Sequence, residues 1–162
     1  MTKKIAFGCR ARQGKDTCAL LLKEMNPDET YITSFAAPLY EAYRAACAVT
    51  GFDPDVKDRT FLQLWGDKGR AIDPEYWVTK ALERISMVNT NVVIITDVRY
   101  EVELLALRQN GFRVYNVVRD GKGATDGIAG HSSEQGIPDE LFDGVIENRG
   151  TLEELREKLK RL

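Results

Sequence analysis

The sequence has few of the residues that build metal clusters or disulfide frameworks. Only three cysteines and one histidine occur among 162 residues. The cysteines, Cys9, Cys18 and Cys47, do not show the paired spacing of a metal site or of a disulfide scaffold. Because unpaired cysteines of this kind are typical of a reducing compartment, we expect a cytoplasmic protein whose fold needs no covalent cross-link.

Long hydrophobic runs and an excess of one charge are also missing. The longest apolar run lies within residues 91–96, far short of the roughly 20 residues that span a bilayer, so we expect no membrane anchor and no signal peptide. Lys and Arg total 23 against 25 Asp and Glu. This balance argues against a uniformly basic face for nucleic acid. We therefore expect neither a membrane nor a nucleic acid as a partner.

The patterning that is present indicates an α/β protein. A chain of this length suits one domain, 1–162. Short apolar runs alternate with segments of helical period, which is typical of βαβ units in a parallel sheet. Strands are predicted at 4–8, 31–35, 92–96, 112–118 and 144–147. Helices are predicted at about 15–25, from Pro38, within 51–73, at 74–88, at 101–110 and from Thr151, the last with a buried stripe of Leu152, Leu155, Leu159 and Leu162.

The sharpest local signal is residues 7–17 (FGCRARQGKDT), which lie between the first predicted strand and the first predicted helix. This is the setting of a phosphate-binding loop, where backbone N–H groups and the helix dipole face an anion. Gly14 lets the backbone approach a phosphate, and Lys15 can reach the β- and γ-phosphates. The loop is one residue longer than usual, and Asp16 and Thr17 stand where a single Ser or Thr normally follows the lysine. A purely structural strand-to-helix turn is the alternative interpretation.

A second candidate lies at the end of the most apolar predicted strand. Ligands of open parallel sheets bind at the carboxyl ends of the strands, so we expect Asp97 and Arg99 to face the same cleft as Lys15. Asp97 is suited to orient Mg²⁺ through water or to bind a substrate hydroxyl, and Arg99 to offset charge on a transferring phosphoryl group. Glu103 follows on the next helix. A structural ion pair at the strand end is the alternative.

Arginines and a glycine-rich stretch complete the candidate set. Arg59, Arg70 and Arg119 carry planar forks that bind phosphate through two hydrogen bonds, although a solvated surface role is the default for any single arginine. Residues 120–130 hold four glycines and predict an exposed loop. His131 follows this loop and is not assigned general-base duty, because transfer onto a phosphate oxygen depends on positioning and charge neutralisation.

Seven segments in order resemble the deoxynucleoside monophosphate kinases of bacteriophages, and together they cover almost the whole chain. The segments are 14–17 (GKDT), 34–39 (SFAAPL), 59–66 (RTFLQLWG), 76–77 (YW), 95–99 (ITDVR), 131–134 (HSSE) and 148–155 (NRGTLEEL). The resemblance implies a three-layer P-loop NTPase fold, with a five-stranded parallel sheet and helices on both faces. It also implies a monophosphate-binding insert at about 51–73 and a lid at about 119–134.

The same resemblance implies an enzyme that transfers the γ-phosphoryl group of ATP to a dNMP with the help of Mg²⁺. The implied ATP site consists of Arg12, Gly14, Lys15, Asp16, Thr17, Arg119 and Asn148, with Asp16 and Thr17 as Mg²⁺ ligands, directly or through water. The implied dNMP site consists of Leu39, Arg59, Gly66, Arg70, Trp77, Asp97 and Glu103. The implied catalytic groups are Lys15, Asp97 and Arg99.

Other functions stay open at this point. A related small-molecule kinase, such as a dephospho-coenzyme A kinase, would use the same architecture. A nucleotide-binding regulator without turnover would fit the irregular phosphate loop, whereas a nucleic-acid-binding module is disfavoured by the net charge of -2. The expected partners are small-molecule nucleotides, a homodimer is left open, and a phage-encoded enzyme would work in the host cytoplasm.

Overall fold

The computed structural model describes residues 2–8, 10–120 and 127–162. A wholly parallel five-stranded sheet runs through them in the order β2-β3-β1-β4-β5. The strands are β1 (Lys3–Gly8), β2 (Thr30–Thr33), β3 (Val92–Val98), β4 (Arg113–Val118) and β5 (Gly144–Glu147). The helices are α1 (Lys15–Met25), α2 (Ala37–Thr50), α3 (Arg59–Ile72), α4 (Tyr76–Ser86), α5 (Glu101–Gln109) and α6 (Leu152–Leu159). No helix in these ranges has the length and apolarity needed to cross a membrane.

The sheet is covered by helices on both faces. In β1, Ile5 and Phe7 pack against buried residues of α1 and α6, whereas Ala6 between them belongs to the core formed with α2, α3, α4 and α5. The other central strands alternate in the same way, because successive side chains of a strand point to opposite faces. Two hydrophobic cores therefore enclose one sheet, and the predicted three-layer α/β fold is confirmed.

The strand order places a crevice at the end of β1. The direction of the connections reverses between the paired strands β1 and β3: α1, which follows β1, packs on one face of the sheet, and α5, which follows β3, packs on the other. Open α/β sheets bind ligands at such a reversal, beyond the carboxyl ends of the strands. Gly8 and Val98 pair at these ends, after an irregularity in the register between Ala6 and Gly8. The loops that leave β1 and β3 therefore start side by side.

The second strand is shorter than the predicted 31–35. It ends at Thr33, because the N–H groups of Phe35 and Ala36 donate to the carboxylate of Asp97 instead of to a neighbouring strand. The chain then turns directly into α2, which has Pro38 in its first turn as predicted.

The segment predicted as helical pieces within 51–73 forms one regular helix after a short non-helical stretch. Helix α3 begins where the side chain of Asp58 accepts a 2.8 Å hydrogen bond from the N–H of Phe61. Such N-caps satisfy donors that have no partner inside the helix, so they mark where a helix starts. The segment packs against α2 and α4.

The predicted lid at about 119–134 is described in part. Residues 121–126, which hold most of the predicted glycine-rich loop, lie outside the described residues. Residues 127–134 run beside α3 and end in a 3₁₀ turn at Ser132–Glu134.

Helix α6 gives a matched test of the hydrophobic core between the sheet and helices α1 and α6. Thr151 caps this helix as predicted, but the predicted leucine stripe is wrong at its first member, because Leu152 is 63% exposed while Leu159 is 0% exposed. We expect Leu159→Ala to lower the free energy of unfolding by about 2–5 kcal/mol, and Leu152→Ala to change it by less than about 1 kcal/mol. Urea unfolding of the two variants measures both values. Equal losses would contradict the placement of α6.

Candidate active site

A cleft of about 480 Å³ opens at the carboxyl ends of β1 and β3. Its walls come from the loop after β1, the start of α2, helices α3 and α4, the β3–α5 turn and the 3₁₀ turn at Ser132–Glu134. Most of the residues predicted from the sequence meet in this one space. Those that line it are Arg12, Lys15, Asp16, Leu39, Arg59, Gly66, Arg70, Trp77, Asp97, Arg99 and Glu103.

The loop between β1 and α1 has left-handed backbone at two positions. Arg12 has a φ of 60°, and it is the single non-glycine residue with positive φ among the residues described. Gly14 follows with a φ of 95° as the N-cap of α1. Asn148 closes the far side of the loop, since its side-chain amide donates a 3.0 Å hydrogen bond to the carbonyl of Gln13. Strained backbone held in place by neighbours is a common feature of functional loops.

Lys15 is the first residue of α1, directly after this loop. It is 7% exposed, and its ammonium group donates to the carbonyl oxygen of Arg10 while also lining the cleft. A buried lysine at the N-terminus of a helix adds a full charge to the partial charge of the helix dipole. Asp16 is exposed at the cleft, and Thr17 is half-buried in the first turn of α1, outside the lining of the cleft.

Asp97 connects the end of β3 to the loop before α2. Its Oδ1 accepts from the N–H of Phe35 at 2.7 Å, and its Oδ2 accepts from the N–H of Ala36 at 2.8 Å. Loss of solvation raises the pKa of this carboxyl group above its ordinary value, although the two backbone hydrogen bonds and the charges of Arg99 and Lys15 act in the opposite direction. Asp97, Arg99 and Lys15 line the same cleft, as the sequence analysis expected.

Glu103 is a nearly buried acid on the first turn of α5. Its Oε2 accepts from the N–H groups of Arg99 at 2.8 Å and Tyr100 at 3.1 Å, so it fixes the turn that follows β3. Burial is the main cause that raises its pKa to about 7, and the charge of Asp97 adds to this effect. Arg70 and the two backbone hydrogen bonds act against the rise.

Three arginines reach the cleft from α3 and from the turn after β3. Arg59 and Arg99 both donate to Glu134, at 3.2 and 3.0 Å. Arg70 donates to Asp67 at 2.7 Å and stacks over the ring of Tyr100, with 4.3 Å between the guanidinium carbon and the ring centroid. Each guanidinium is held by an acid or a ring, so its orientation is set before any ligand arrives.

Part of the cleft wall is apolar. Phe35, Leu39 and Trp77 are 4, 7 and 6% exposed, and all three line the cleft. The indole N–H of Trp77 donates a 2.8 Å hydrogen bond to the carbonyl of Gly66, which holds α4 against α3. Ligand sites combine such apolar walls with a few fixed polar groups.

Four predicted residues do not line the cleft. Asn148 contacts Gly14 and donates to the carbonyl of Gln13, and Thr17 is half-buried outside the lining. Arg119 has an exposed side chain, while its backbone N–H donates to the side chain of Gln13. The roles assigned to these residues stay predictions.

Sequence reasoning missed three residues that organise the site. Gln13 accepts hydrogen bonds from Arg119 and Asn148, two residues of the implied ATP site. Asp67 binds Arg70 and His131, and Glu134 binds two arginines. Only Glu134 had a usable signal, because it closes the segment 131–134 (HSSE). Gln13 contacts Arg119 and Asn148, and Asp67 contacts His131, across long separations in sequence that no local pattern reveals.

This fold and this cleft define an α/β protein of the P-loop kinase class. A family model described as deoxynucleotide monophosphate kinase matches residues 58–159. The chain belongs to the deoxynucleotide monophosphate kinase family. The family that the sequence resembles is thereby confirmed.

Three relatives give the extent of the similarity. The chain is 33% identical over 128 residues to the deoxynucleotide monophosphate kinase of Escherichia phage RB69, which covers 76% of this chain and 50% of that protein. It is 38% identical over 91 residues to the enzyme of the same name from Enterobacteria phage T4, covering 54% of this chain and 36% of that protein. It is 34% identical over 125 residues to the uncharacterized protein ORF77 of Ictalurid herpesvirus 1 (strain Auburn), covering 73% and 53%. The chain thus spans about half the length, or less, of these relatives.

The donor set at the phosphate loop fits Mg²⁺ only as a partly hydrated, phosphate-bound ion. Among the described residues no group of three His, Cys, Asp or Glu side chains could hold a metal by itself. Asp16 offers one carboxylate at the cleft, and Thr17 offers a hydroxyl group nearby in sequence. Mg²⁺ is commonly bound in this way, with one or two protein oxygens and the rest from phosphate and water.

Gly14 provides a test of the loop geometry. A Cβ atom there would lie 2.2 Å from Nδ2 of Asn148, and φ is +95°, whereas Gly51 has a φ of +78° and open space around it. We expect Gly51→Ala to cost about 1–2 kcal/mol of stability from backbone strain alone. Gly14→Ala should cost at least about 1 kcal/mol more, because Asn148 must also move. Thermal unfolding measures both, and equal losses would contradict the packing of Asn148.

Glu103 provides a test by pH. Its pKa of about 7 in the fold lies above its ordinary value of 4.5, so the unfolded chain loses this proton first, and wild-type stability falls as pH rises from about 4.5 to 7. Glu103→Gln carries no such proton. We expect the stability of the variant relative to wild type to rise across that window, at about 1.4 kcal/mol per unit of pKa difference.

Urea unfolding at pH 5, 6, 7 and 8 measures this difference. Glu101→Gln is the matched control, because Glu101 is exposed on the same turn of α5. A stability difference for Glu103→Gln that does not change with pH would contradict the assignment.

Proposed function

We propose that the protein transfers the γ-phosphoryl group of ATP to a deoxynucleoside monophosphate, giving ADP and a dNDP. The observation that carries this proposal is the meeting of Lys15 with three arginines, Arg59, Arg70 and Arg99, in one cleft that also has an apolar wall. Joining two phosphate-bearing substrates requires several cations, because each substrate brings its own negative charge. Membership of the family supports the same reaction.

The phosphate loop is the proposed donor side. The N-terminus of α1 and the buried Lys15 concentrate positive potential there, and Arg12 adds a second side chain at the cleft. A triphosphate tail is the ligand that matches this arrangement. Gln13 links the loop to Asn148 and Arg119, which on this proposal lie beside the ATP base.

Helix α3 and the apolar wall form the proposed acceptor side. Arg59 and Arg70 offer forks for a monophosphate, and Leu39 and Trp77 offer the surface against which a nucleoside packs. Gly66 leaves room beside Arg70, since a Cβ atom there would lie 3.0 Å from the guanidinium. The family resemblance implies that Asp97 and Glu103 belong to the dNMP site. On this proposal the two acids bind the sugar or orient the groups that contact it.

The chemical step needs charge neutralisation more than proton removal. The attacking group is an oxygen of an existing phosphate, so no hydroxyl has to be deprotonated. Arg99 and Lys15 both line the cleft, and on this proposal they contact the transferring phosphoryl group. Mg²⁺, held at Asp16 and Thr17 directly or through water, would supply additional positive charge to the phosphate oxygens.

The expected partners and cellular location follow from the same proposal. The partners are small-molecule nucleotides rather than nucleic acid or membrane, and the relatives from phages favour the host cytoplasm as the place of action. A homodimer stays an open expectation.

A coupled ADP-release assay with ATP, Mg²⁺ and each of dAMP, dGMP, dCMP and dTMP tests the reaction. We expect turnover with at least one of them. Lys15→Ala should lower kcat about a hundredfold or more, because it removes a preorganised charge at the transferring phosphoryl group. Lys23→Ala, an exposed lysine in the last turn of the same helix, is the matched control and should leave kcat unchanged.

Two outcomes would contradict the proposal. Folded protein that binds ATP yet turns over none of the four acceptors indicates a nucleotide-binding regulator. Turnover with dephospho-coenzyme A alone indicates a dephospho-coenzyme A kinase. Thermal unfolding of Lys15→Ala shows whether any loss of rate reflects loss of the fold.

A further inference from the structure

One carboxylate oxygen of Glu134 connects the two sides of the cleft. Its Oε1 accepts from Nη1 of Arg59 at 3.2 Å and from Nη1 of Arg99 at 3.0 Å. The three side chains are mostly buried, with exposed fractions of 12% for Arg59 and 21% for each of the other two. Arg59 comes from the start of α3 and Arg99 from the end of β3, so the bridge joins elements that are far apart in sequence.

The position of Glu134 is determined by contacts other than its own ion pairs. The N–H of Ile128 donates to the side chain of Gln63 at 2.7 Å, and the imidazole of His131 lies 2.9 Å from a carboxylate oxygen of Asp67. On the other side, the hydroxyl groups of Tyr100 and Ser132 are 3.1 Å apart. These contacts hold the segment 127–134 against α3 and the β3–α5 turn.

Contact with Arg59 is also tight at the start of this segment. A Cβ atom on Gly127 would lie 2.4 Å from Cδ of Arg59, so the arginine stem has no room to swing towards that side. The segment therefore restricts Arg59 at its stem through Gly127 and at its guanidinium through Glu134.

The bridge leaves part of Arg99 available to a ligand. Its described hydrogen bonds to Glu134 and to the carbonyl of Ser133 both use Nη1. Within the described ranges, the Nε and Nη2 groups of Arg99 have no protein acceptor. An edge of the guanidinium thus faces the cleft, and a phosphate can accept from it while Glu134 keeps its own bond.

We propose that Glu134 is a positioning residue for phosphoryl transfer. By binding one nitrogen of each guanidinium, it offsets the repulsion between two like charges and turns the remaining donors of Arg99 towards the phosphates. This inference rests on the proposed kinase function and assigns the segment 131–134 a task in it. Preorganised charge of this kind lowers the barrier because no reorientation is needed during the reaction.

A double-mutant cycle tests the role. We expect Glu134→Ala to lower kcat for ATP and the preferred dNMP about tenfold or more, since Arg99 loses its orientation. In the Arg99→Ala background the same change should lower kcat less than about threefold, because the group through which Glu134 acts is gone. Glu134→Gln, which keeps an oxygen that can accept both hydrogen bonds, should recover part of the rate.

The matched control is Glu41→Ala. Glu41 forms a two-point ion pair with Arg84 at 2.8 and 2.6 Å, on the surface between α2 and α4 and outside the lining of the cleft. Its loss should leave kcat unchanged. Thermal unfolding of every variant accompanies the assay, and if Glu134→Ala fails to fold, Glu134→Gln carries the cycle.

The outcomes separate this inference from the proposed function. Equal losses in the two backgrounds, or a wild-type rate for Glu134→Ala, overturn the positioning role while the kinase function stands. Absence of turnover by wild type with all four acceptors overturns both, because there is then no such reaction for Glu134 to serve.

Discussion

The carboxylate of Asp97 makes the connection on which the cleft depends. Its two oxygens take the N–H groups of Phe35 and Ala36, so β2 stops at Thr33 and α2 starts at the edge of the opening. The apolar wall and the end of β3 are joined by these two bonds. The cost of burying the acid appears in its raised pKa, and nearby cations reduce that cost. A group that sets the shape of the site is therefore also part of its electrostatics.

The cations of the cleft illustrate how like charges can be gathered in a small space. Lys15 donates to a carbonyl, Arg70 to Asp67, and Arg59 and Arg99 to Glu134. Asp67 illustrates how burial and hydrogen bonding oppose each other. Burial would raise the pKa of Asp67, but hydrogen bonds from Arg70 and His131 outweigh burial and lower this pKa. Each of these acids reduces the repulsion between neighbouring cations and also orients their N–H donors. Without such partners, several guanidinium groups would turn outwards into water.

The relation between α3 and the segment 127–134 explains why this part of the chain acts as one wall. Gln63 and Asp67 lie one helical turn apart on α3, and they contact Ile128 and His131 in the same order. Two elements predicted as separate parts, an acceptor insert and a lid, are thus joined by polar contacts in the described residues. The pairing brings Glu134 to the arginines.

The amino-acid sequence by itself determined the α/β class and most strand and helix positions, because these depend on local periodicity. The eleven predicted residues that line the cleft came from motifs at strand ends and from the resemblance to a known family. Tertiary structure alone decided the early end of β2, the burial of Leu159 but not Leu152, and the roles of Gln13, Asp67 and Glu134. The physical reason is the separation in sequence between the residues that interact. Hydrogen bonds and ion pairs between residues 35 to 135 positions apart leave no local pattern, whereas side-chain periodicity does.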